Sequence, residues 1–321
     1  MRARNIGVVA ALAIAGALLV PGTATAAPAP DDRCSWLPSA IRLARSIDGV
    51  SDQRAATIRA ALQKLQVTSD TQLPTTCGTG TGGSTGTAPD PDAPLPTGGT
   101  KECEKFGSAP TPSGGYEVQN NIWGSEKPQC VRIFDTGFEV LDADHEDNGG
   151  VAAYPSIWSG CWHGTCTEGT ALPKPVNELG VITTSWAVRI PEDQEKWNAA
   201  YDVWLSPTGN DEGADGTELM IWLDHGEVAP IGEKGATVTL GGIEWEVWTG
   251  TNGAVKVISY VAAQGLRQVT DLPLNDFLDD AAQRDMLEMT WSLACVQAGF
   301  EPWTKGAGLA TTSFEVTGVT T

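Results

Sequence analysis

Gly216-Thr-Glu-Leu-Met-Ile-Trp-Leu223 is the stretch whose reading decides the fold of this chain. Read as a β-strand, it turns successive side chains to opposite faces. Leu219, Ile221 and Leu223 then form one wholly apolar row, and Glu218, Met220 and Trp222 form the other. An acid, a thioether and an indole in line suit the floor of a wet groove holding something with polar edges and flat apolar faces, such as a sugar chain. The competing reading is a sheet whose outer face carries Glu218 as an ordinary solvated charge.

Outward from this strand, short alternating or apolar runs follow one another from Lys101 to the end. Among them are Tyr116–Trp123, Ala152–Trp158, Val181–Ile190, Tyr201–Leu205, Ile243–Thr249, Val255–Ala262, Glu288–Val296 and Leu309–Val316. Turn residues such as Asn148-Gly149-Gly150 and Thr251-Asn-Gly253 separate them. So many short strands predict an all-β, two-sheet antiparallel sandwich of the jelly-roll kind, with a concave sheet face as an open cleft. Only Leu274–Leu287 reads as a helix here, with Asn275 or Asp276 as N-cap and Phe277, Leu278, Ala281 and Ala282 facing inward.

Before this domain, 78–100 is a Gly/Thr/Pro-rich stretch with almost nothing apolar to bury, which reads as a linker. Residues 27–77 are expected to form a small helical unit, since Trp36, Ile41, Leu43 and Ala44, then Ile58, Ala61, Leu62 and Leu65, recur at helical spacing. Residues 1–26 have a basic start, a short apolar run and Ala24-Thr25-Ala26, the pattern of a secretory signal peptide. The expected location is therefore extracellular. No later segment is long and apolar enough to span a bilayer, so no membrane partner is expected.

Against 20 Lys+Arg stand 40 Asp+Glu, a net charge of -20, which argues against nucleic acid as a partner. The acidic surface fits a soluble protein with a neutral ligand, and a monomer is expected. The 12 Trp outnumber the 4 Tyr and 6 Phe together, a composition that serves either sugar stacking or a large core. Seven cysteines in an exported chain suggest a disulfide framework. Sequence proximity favours Cys34–Cys77, Cys103–Cys130 and Cys161–Cys166, one of many possible pairings, with Cys295 free. The 3 His are scattered, and no Cys/His cluster has zinc-like spacing.

A second acid sits beside an indole in Val296-Gln-Ala-Gly-Phe-Glu301-Pro-Trp303. If Glu218 and Glu301 meet on the concave face, they supply the two carboxyl groups that glycoside cleavage requires. Asp202, in Ala200-Tyr-Asp-Val-Trp204, shares a strand face with Trp204 and can hold a nucleophile by a shared proton or hydrogen bond. In Tyr116–Trp123, Asn121 can bond a sugar hydroxyl and Trp123 can stack. Each also reads as a satisfied polar group, or an indole at the sandwich edge.

Taken together, Asn120-Asn-Ile-Trp-Gly124, Tyr154-Pro-Ser-Ile157, Trp197-Asn-Ala-Ala-Tyr-Asp-Val-Trp204, Glu218-Leu-Met-Ile-Trp-Leu223 and Val296-Gln-Ala-Gly-Phe-Glu-Pro-Trp303 resemble the signature segments of glycoside hydrolase family 12, in the same order. The resemblance covers residues 101–321. It implies a β-jelly-roll endo-β-1,4-glucanase that retains anomeric configuration and needs no metal or cofactor. It assigns Glu218 as nucleophile, Glu301 as general acid/base and Asp202 as the residue assisting the nucleophile. Asn121, Trp123 and Met220 match substrate-contacting positions, and Trp204, Trp222 and Trp303 are further candidates for sugar binding. The bridges Cys103–Cys130 and Cys161–Cys166 fit bacterial members. One departure stands out: Cys161-Trp-His-Gly164 replaces Cys-His-Trp-Gly, so the His contact of the family does not transfer to His163, which reads as a surface loop residue.

The expected partner is a β-glucan polysaccharide, with xyloglucan as the alternative substrate. A non-catalytic carbohydrate-binding protein on the same sandwich is the reading from a different class. A retaining pair predicts carboxyl groups about 5–5.5 Å apart.

Overall fold

The structure, a computed structural model, describes residues 90–210 and 215–320, together with 59–60, 62–68 and 71. The expected signal peptide, most of the expected helical unit and the Cys34–Cys77 bridge lie outside the described residues. The chain divides into two compact units, 1–85 and 86–321. In the first, 59–60 and 62–64 are helical, and Leu62 and Val67 are buried.

In the second unit the chain runs through β1 (Thr100–Glu102), β2 (Ser108–Pro110), β3 (Glu117–Gln119), β4 (Gln129–Phe134), β5 (Gly137–His145) and β6 (Ser156–Trp162). The short β7 (Thr165–Cys166) and β8 (Lys174–Pro175) lead to β9 (Thr183–Arg189), β10 (Trp197–Ser206) and β11 (Thr217–His225). Then come β12 (Glu233–Leu240), β13 (Ile243–Thr251), β14 (Lys256–Ala262) and β15 (Gln268–Pro273). Helix α1 (Leu274–Gln283), β16 (Ser292–Pro302), β17 (Lys305–Gly306) and β18 (Ala310–Thr317) close the order.

Two sheets result. The smaller runs β1-β4-β5-β18-β9-β15, with β17 on β5. The larger runs β12-β13-β14-β11-β10-β16-β6-β3-β2, with β7 on β6 and β8 on β16. This is the expected two-sheet sandwich, with one departure from antiparallel pairing: β11 and β14 are parallel. After β11 the chain crosses to the sheet edge, and the hairpins β12-β13 and β13-β14 bring it back beside β11 in its original direction.

The alternation read in Glu218–Leu223 is what binds the layers. Leu219, Ile221 and Leu223 are 0 % exposed in the core between the sheets, as are Tyr201, Val203 and Leu205 of β10. Burying each such side chain stabilises the fold by about 1.5–3 kcal/mol. The bridges Cys103–Cys130 and Cys161–Cys166 are both formed, and Cys295 is free and buried.

Several expectations shift. β3 ends at Gln119 instead of running to Trp123, because Asn121 takes a left-handed backbone (φ 44°) that a strand does not accommodate. Helix α1 stops at Gln283, short of Leu287, and Asp285 just beyond it has φ 60°. Neither Asn275 nor Asp276 caps α1. Its N-cap is Pro273, and Asn275 instead accepts from Ile182 N (2.8 Å) and donates to Gly180 O (3.1 Å). Strands β5 and β15 were not singled out by periodicity.

The stretch expected as a linker is described from Asp90 onward, and there it is fastened to the sandwich. Thr312 Oγ1, Arg189 Nη2 and Arg132 Nη1 donate to the carbonyls of Asp90 (3.1 Å), Ala93 (2.6 Å) and Pro96 (2.6 Å). Its side chains offer little to bury, but its carbonyl groups still accept hydrogen bonds.

Candidate active site

The site lies on the face of the larger sheet turned away from the smaller one. Here Ala200, Asp202 and Trp204 of β10 alternate with the core residues, as do Glu218, Met220 and Trp222 of β11. Asp202 pairs in register with Met220, and Trp204 with Glu218. On the other flank of β10, Asp202 pairs with Gln297 of β16, and Asn198 with Glu301. Three adjacent strands thus put three carboxylates on one face. Met220, Trp222, Trp204 and Asp202 are only 2–8 % exposed although no second sheet covers them, so the face folds around its own contents as a groove.

Each carboxylate has its own holder. Trp204 Nε1 donates to Asp202 Oδ2 (2.9 Å), and Asn252 Nδ2 donates to Glu218 Oε2 (2.8 Å). Asn198, 0 % exposed, grips Glu301 twice: its Nδ2 donates to Glu301 Oε2 (2.5 Å), and its Oδ1 accepts from Glu301 N (3.2 Å). Gly299 is required two residues earlier. A Cβ there would lie 2.3 Å from Pro155 O, where β16 crosses β6.

Burial raises all three acids, since the charged form loses solvation. Glu218 is pushed up to about 7, restrained by the Asn252 bond. Glu301 is pushed up to about 8, restrained by Asn198 and raised further by the charge of Glu218. Asp202 is raised well above its ordinary value by burial and then by the charge of Glu218, with the Trp204 bond opposing. A charge on Glu218 raises Glu301, so ionisation of one favours the proton on the other.

The groove floor also holds polar atoms without protein partners. Glu117, Trp158, Gln297, Asp202, Met220, Ser259 and Trp248 follow one another in register across seven strands. Among the described residues eight buried side-chain N/O atoms lack a hydrogen-bond partner, and five belong to this row: Glu117 Oε2, Trp158 Nε1, Asp202 Oδ1, Ser259 Oγ and Trp248 Nε1. Buried polar atoms are normally satisfied, so their concentration along one line marks a surface made for a polar ligand or ordered water.

The sequence-read sugar contacts fall into two groups. Trp123 is 54 % exposed at the rim, and the Asn121 side chain has no hydrogen bond among the described residues. Trp303 packs partly buried against the cluster of Met220 and Trp222. Trp222 and Trp204 are buried, at 2 % and 8 %; Trp204 spends its indole N–H on Asp202 and so supports the acid. His163 is exposed in the β6–β7 turn with φ 46°, while Trp162 stacks on Trp204 with ring centroids 4.9 Å apart.

Sequence reading missed Asn198, Asn252, Trp162 and Phe106. Asn198 and Trp162 were detectable by alternation, sharing parity with Asp202 and Trp158. Phe106, 68 % exposed, had no such signal: hydrogen bonds Asn120 N–Gly107 O (2.9 Å) and Ile122 N–Lys105 O (2.8 Å) extend the β2–β3 ladder and bring it beside Asn121. A surface cavity of about 650 Å³ lined by Lys127, Asp142, Asp193 and Lys305 shares no residue with this site, and Lys305–Asp193 and Lys101–Asp142 pair its charges.

Comparison with known proteins agrees with this geometry. The family model described as "Glycosyl hydrolase family 12" matches residues 114–318. Among curated relatives, "Probable cellulase Cel12b" of Mycobacterium tuberculosis is 33 % identical over 147 residues, covering 46 % of this chain and 96 % of that protein. "Xyloglucan-specific endo-beta-1,4-glucanase A" of Emericella nidulans is 29 % identical over 218 residues, covering 64 % and 86 %. Among solved structures, "Endoglucanase cel12A from Rhodothermus marinus" is 40 % identical with a TM-score of 0.65, covering 68 % of this chain and 98 % of that one. The matched span takes in Asp202, Glu218 and Glu301 and every strand from β3 to β18, and the chain belongs to glycosyl hydrolase family 12.

Proposed function

We propose that this chain is a secreted endo-acting β-1,4-glucanase that cleaves with retention, using Glu218 as nucleophile and Glu301 as general acid/base. One observation carries the reading: Glu218 and Glu301 flank β10 on one groove face, with Asp202 between them. A β-1,4-glucan fits the groove because its hydroxyls meet the row of unpartnered polar atoms and its flat C–H faces meet exposed rings such as Trp123.

In the first step Glu301 gives its proton to the glycosidic oxygen as that bond breaks, and Glu218 attacks the anomeric carbon to form a glycosyl ester. In the second, Glu301 takes a proton from water as the water oxygen displaces Glu218, which leaves as carboxylate. Asp202, whose burial favours its protonated form and whose Oδ1 has no hydrogen-bond partner among the described residues, feels the charge of Glu218 and can assist the nucleophile. Carboxyl groups about 5–5.5 Å apart in a substrate-analogue complex fit this pathway, and about 6.5–9.5 Å fits inversion. The proposed catalytic domain covers 101–321, with 90–100 fastened to it. The signal peptide read over 1–26 supports export of the enzyme, and an oxidising location outside the cell keeps both disulfides stable.

The test is release of reducing sugar from cellulose, mixed-linkage β-glucan, xyloglucan and xylan by the parent and by Glu218→Ala. Release from β-1,4-glucans, reduced at least about 10³-fold in Glu218→Ala, is expected. Equal release from both proteins overturns the nucleophile. Binding with no release from either leaves the carbohydrate-binding alternative.

A further inference from the structure

His145 is a buried titratable group that the reaction does not use. It lies at the end of β5, in the smaller sheet, and is 2 % exposed. Both ring nitrogens are engaged: Nε2 is 3.0 Å from Gln129 Oε1, and Nδ1 is 3.0 Å from Ser125 Oγ.

The direction of each bond follows from the far end of the chain of contacts. Asn120 Nδ2 donates to the carbonyls of Glu104 (3.0 Å) and Gln129 (2.8 Å), which leaves Asn120 Oδ1 as an acceptor. Gln129 Nε2 donates to that Oδ1 (3.0 Å) and to Asn120 O (2.9 Å). Gln129 Oε1 therefore accepts, and the proton sits on His145 Nε2. Nδ1 of the neutral ring accepts the Ser125 hydroxyl proton, and Ser125 Oγ accepts in turn from Lys127 N (3.0 Å). Every link has one orientation. Burial, opposed by the charge of Asp144, holds the ring below its ordinary pKa and so favours this neutral form.

Asn120 and Ser125 are the two ends of the segment carrying Asn121 and Trp123. Between them the chain has left β3, turns through the left-handed Asn121 and exposes an indole. Loop-borne contacts keep their geometry only where buried partners lock the supporting residues. His145 reaches Ser125 directly and Asn120 through Gln129, so it spans the excursion from beneath.

We infer that His145 is a positioning residue for sugar binding: bonded to Gln129 and Ser125, it sets the two ends of segment 120–125 and thereby how Asn121 and Trp123 meet the glucan. The inference rests on the proposed function only for the identity of the ligand.

The test compares the full-length parent with His145→Ala, His145→Gln and Ser125→Ala. Readouts are kcat, KM, melting temperature and retardation on a gel containing β-glucan. KM in His145→Ala is expected to rise about tenfold, the loss of one or two hydrogen bonds, with kcat within about twofold. Ser125→Ala should rise less, and His145→Gln, whose Nε2 still donates to Gln129, should recover part of the loss. On an Asn121→Ala/Trp123→Ala background His145→Ala should leave KM unchanged within about twofold, because both contacts it places are gone. Equal factors on both backgrounds, or kcat falling with the folded fraction while KM holds, overturn the inference. If His145→Ala does not fold, the Gln and Ser125 variants decide. A parent that is retarded but hydrolyses nothing refutes the catalytic reading alone, and undiminished retardation of the variants refutes the positioning role; no retardation of the parent refutes both.

Discussion

Asn198→Ala should move the basic limb of the pH profile upward. In the parent, Asn198 Nδ2 donates to Glu301 Oε2 at 2.5 Å and stabilises the ionised carboxylate against the burial and the Glu218 charge that favour the proton. A hydrogen bond to a charged group contributes about 1.5–3 kcal/mol, and about 1.36 kcal/mol corresponds to one pH unit. Removing the donor should raise Glu301 above its parent value of about 8 by roughly one to two pH units. In the proposed reaction Glu301 starts protonated, so the limb on which kcat/KM falls with rising pH should shift upward by that amount. The acidic limb, set by ionisation of Glu218, should move less, because Asn198 makes no bond to Glu218. The maximum itself should fall about 10- to 100-fold, since the acid also loses the Asn198 contact that orients it. The assay is kcat/KM on soluble β-glucan across the pH range, with melting curves to correct for folded protein. A basic limb that stays put, or shifts downward, refutes the idea that Asn198 tunes the acid.

Other outcomes follow from the same geometry. Glu301→Gln should stabilise the fold at high pH: the parent carboxyl is raised from the ordinary 4.5 to about 8, so its stabilising contribution is complete below 4.5 and is lost as pH rises toward 8. The variant should out-melt the parent above pH 8 by on the order of 3–5 kcal/mol, with the gap closing near pH 4; a pH-independent gap contradicts the burial argument. Asn252→Ala should raise the acidic limb by about one pH unit, since the bond restraining Glu218 is lost; an unchanged limb assigns that bond no role. Phe106→Ala and Trp123→Ala should weaken long gluco-oligosaccharides by about 1–2 kcal/mol each and leave the shortest substrates unaffected; equal losses at every length place these rings outside the sugar track.

The sandwich was legible because its signal is local. Leu219, Ile221 and Leu223 alternate with Glu218, Met220 and Trp222, and burial of one row dictates where the other must point. The same parity placed Asp202 beside Trp204 and would have placed Asn198. Asn252 lay in a stretch read only as a turn. Its Oδ1 accepts from Ala254 N (2.9 Å) and Val255 N (3.0 Å), which turns its Nδ2 toward Glu218. Local turn chemistry was visible there, but the 34 positions separating it from Glu218 were not bridged by any pattern. Phe106 failed for a similar reason, since its neighbour Asn121 is set by a ladder joining two strands. The parallel pairing of β14 with β11 depends on how three strands return to a sheet, a property of connection and not of composition.

What the three-dimensional arrangement adds is the role of β10. All ten of its residues are buried, and it is the strand paired with both β11 and β16. One side of its groove face carries Asp202 and Trp204 toward Glu218; four residues back, Asn198 grips Glu301. The spacing of Glu218 and Glu301 is therefore set by one extended backbone segment whose other face, Tyr201, Val203 and Leu205, is packed in the core. A strand held this way has little freedom to slide, because a one-residue slip would turn Asp202 into the core and Val203 onto the groove face. Val203→Ala makes the argument testable. It should destabilise the fold by about 2–4 kcal/mol and, below its melting range, lower kcat more than it raises KM, since a loosened β10 disturbs both acids at once. An unchanged kcat in folded protein would show that the two acids are held independently of the strand between them.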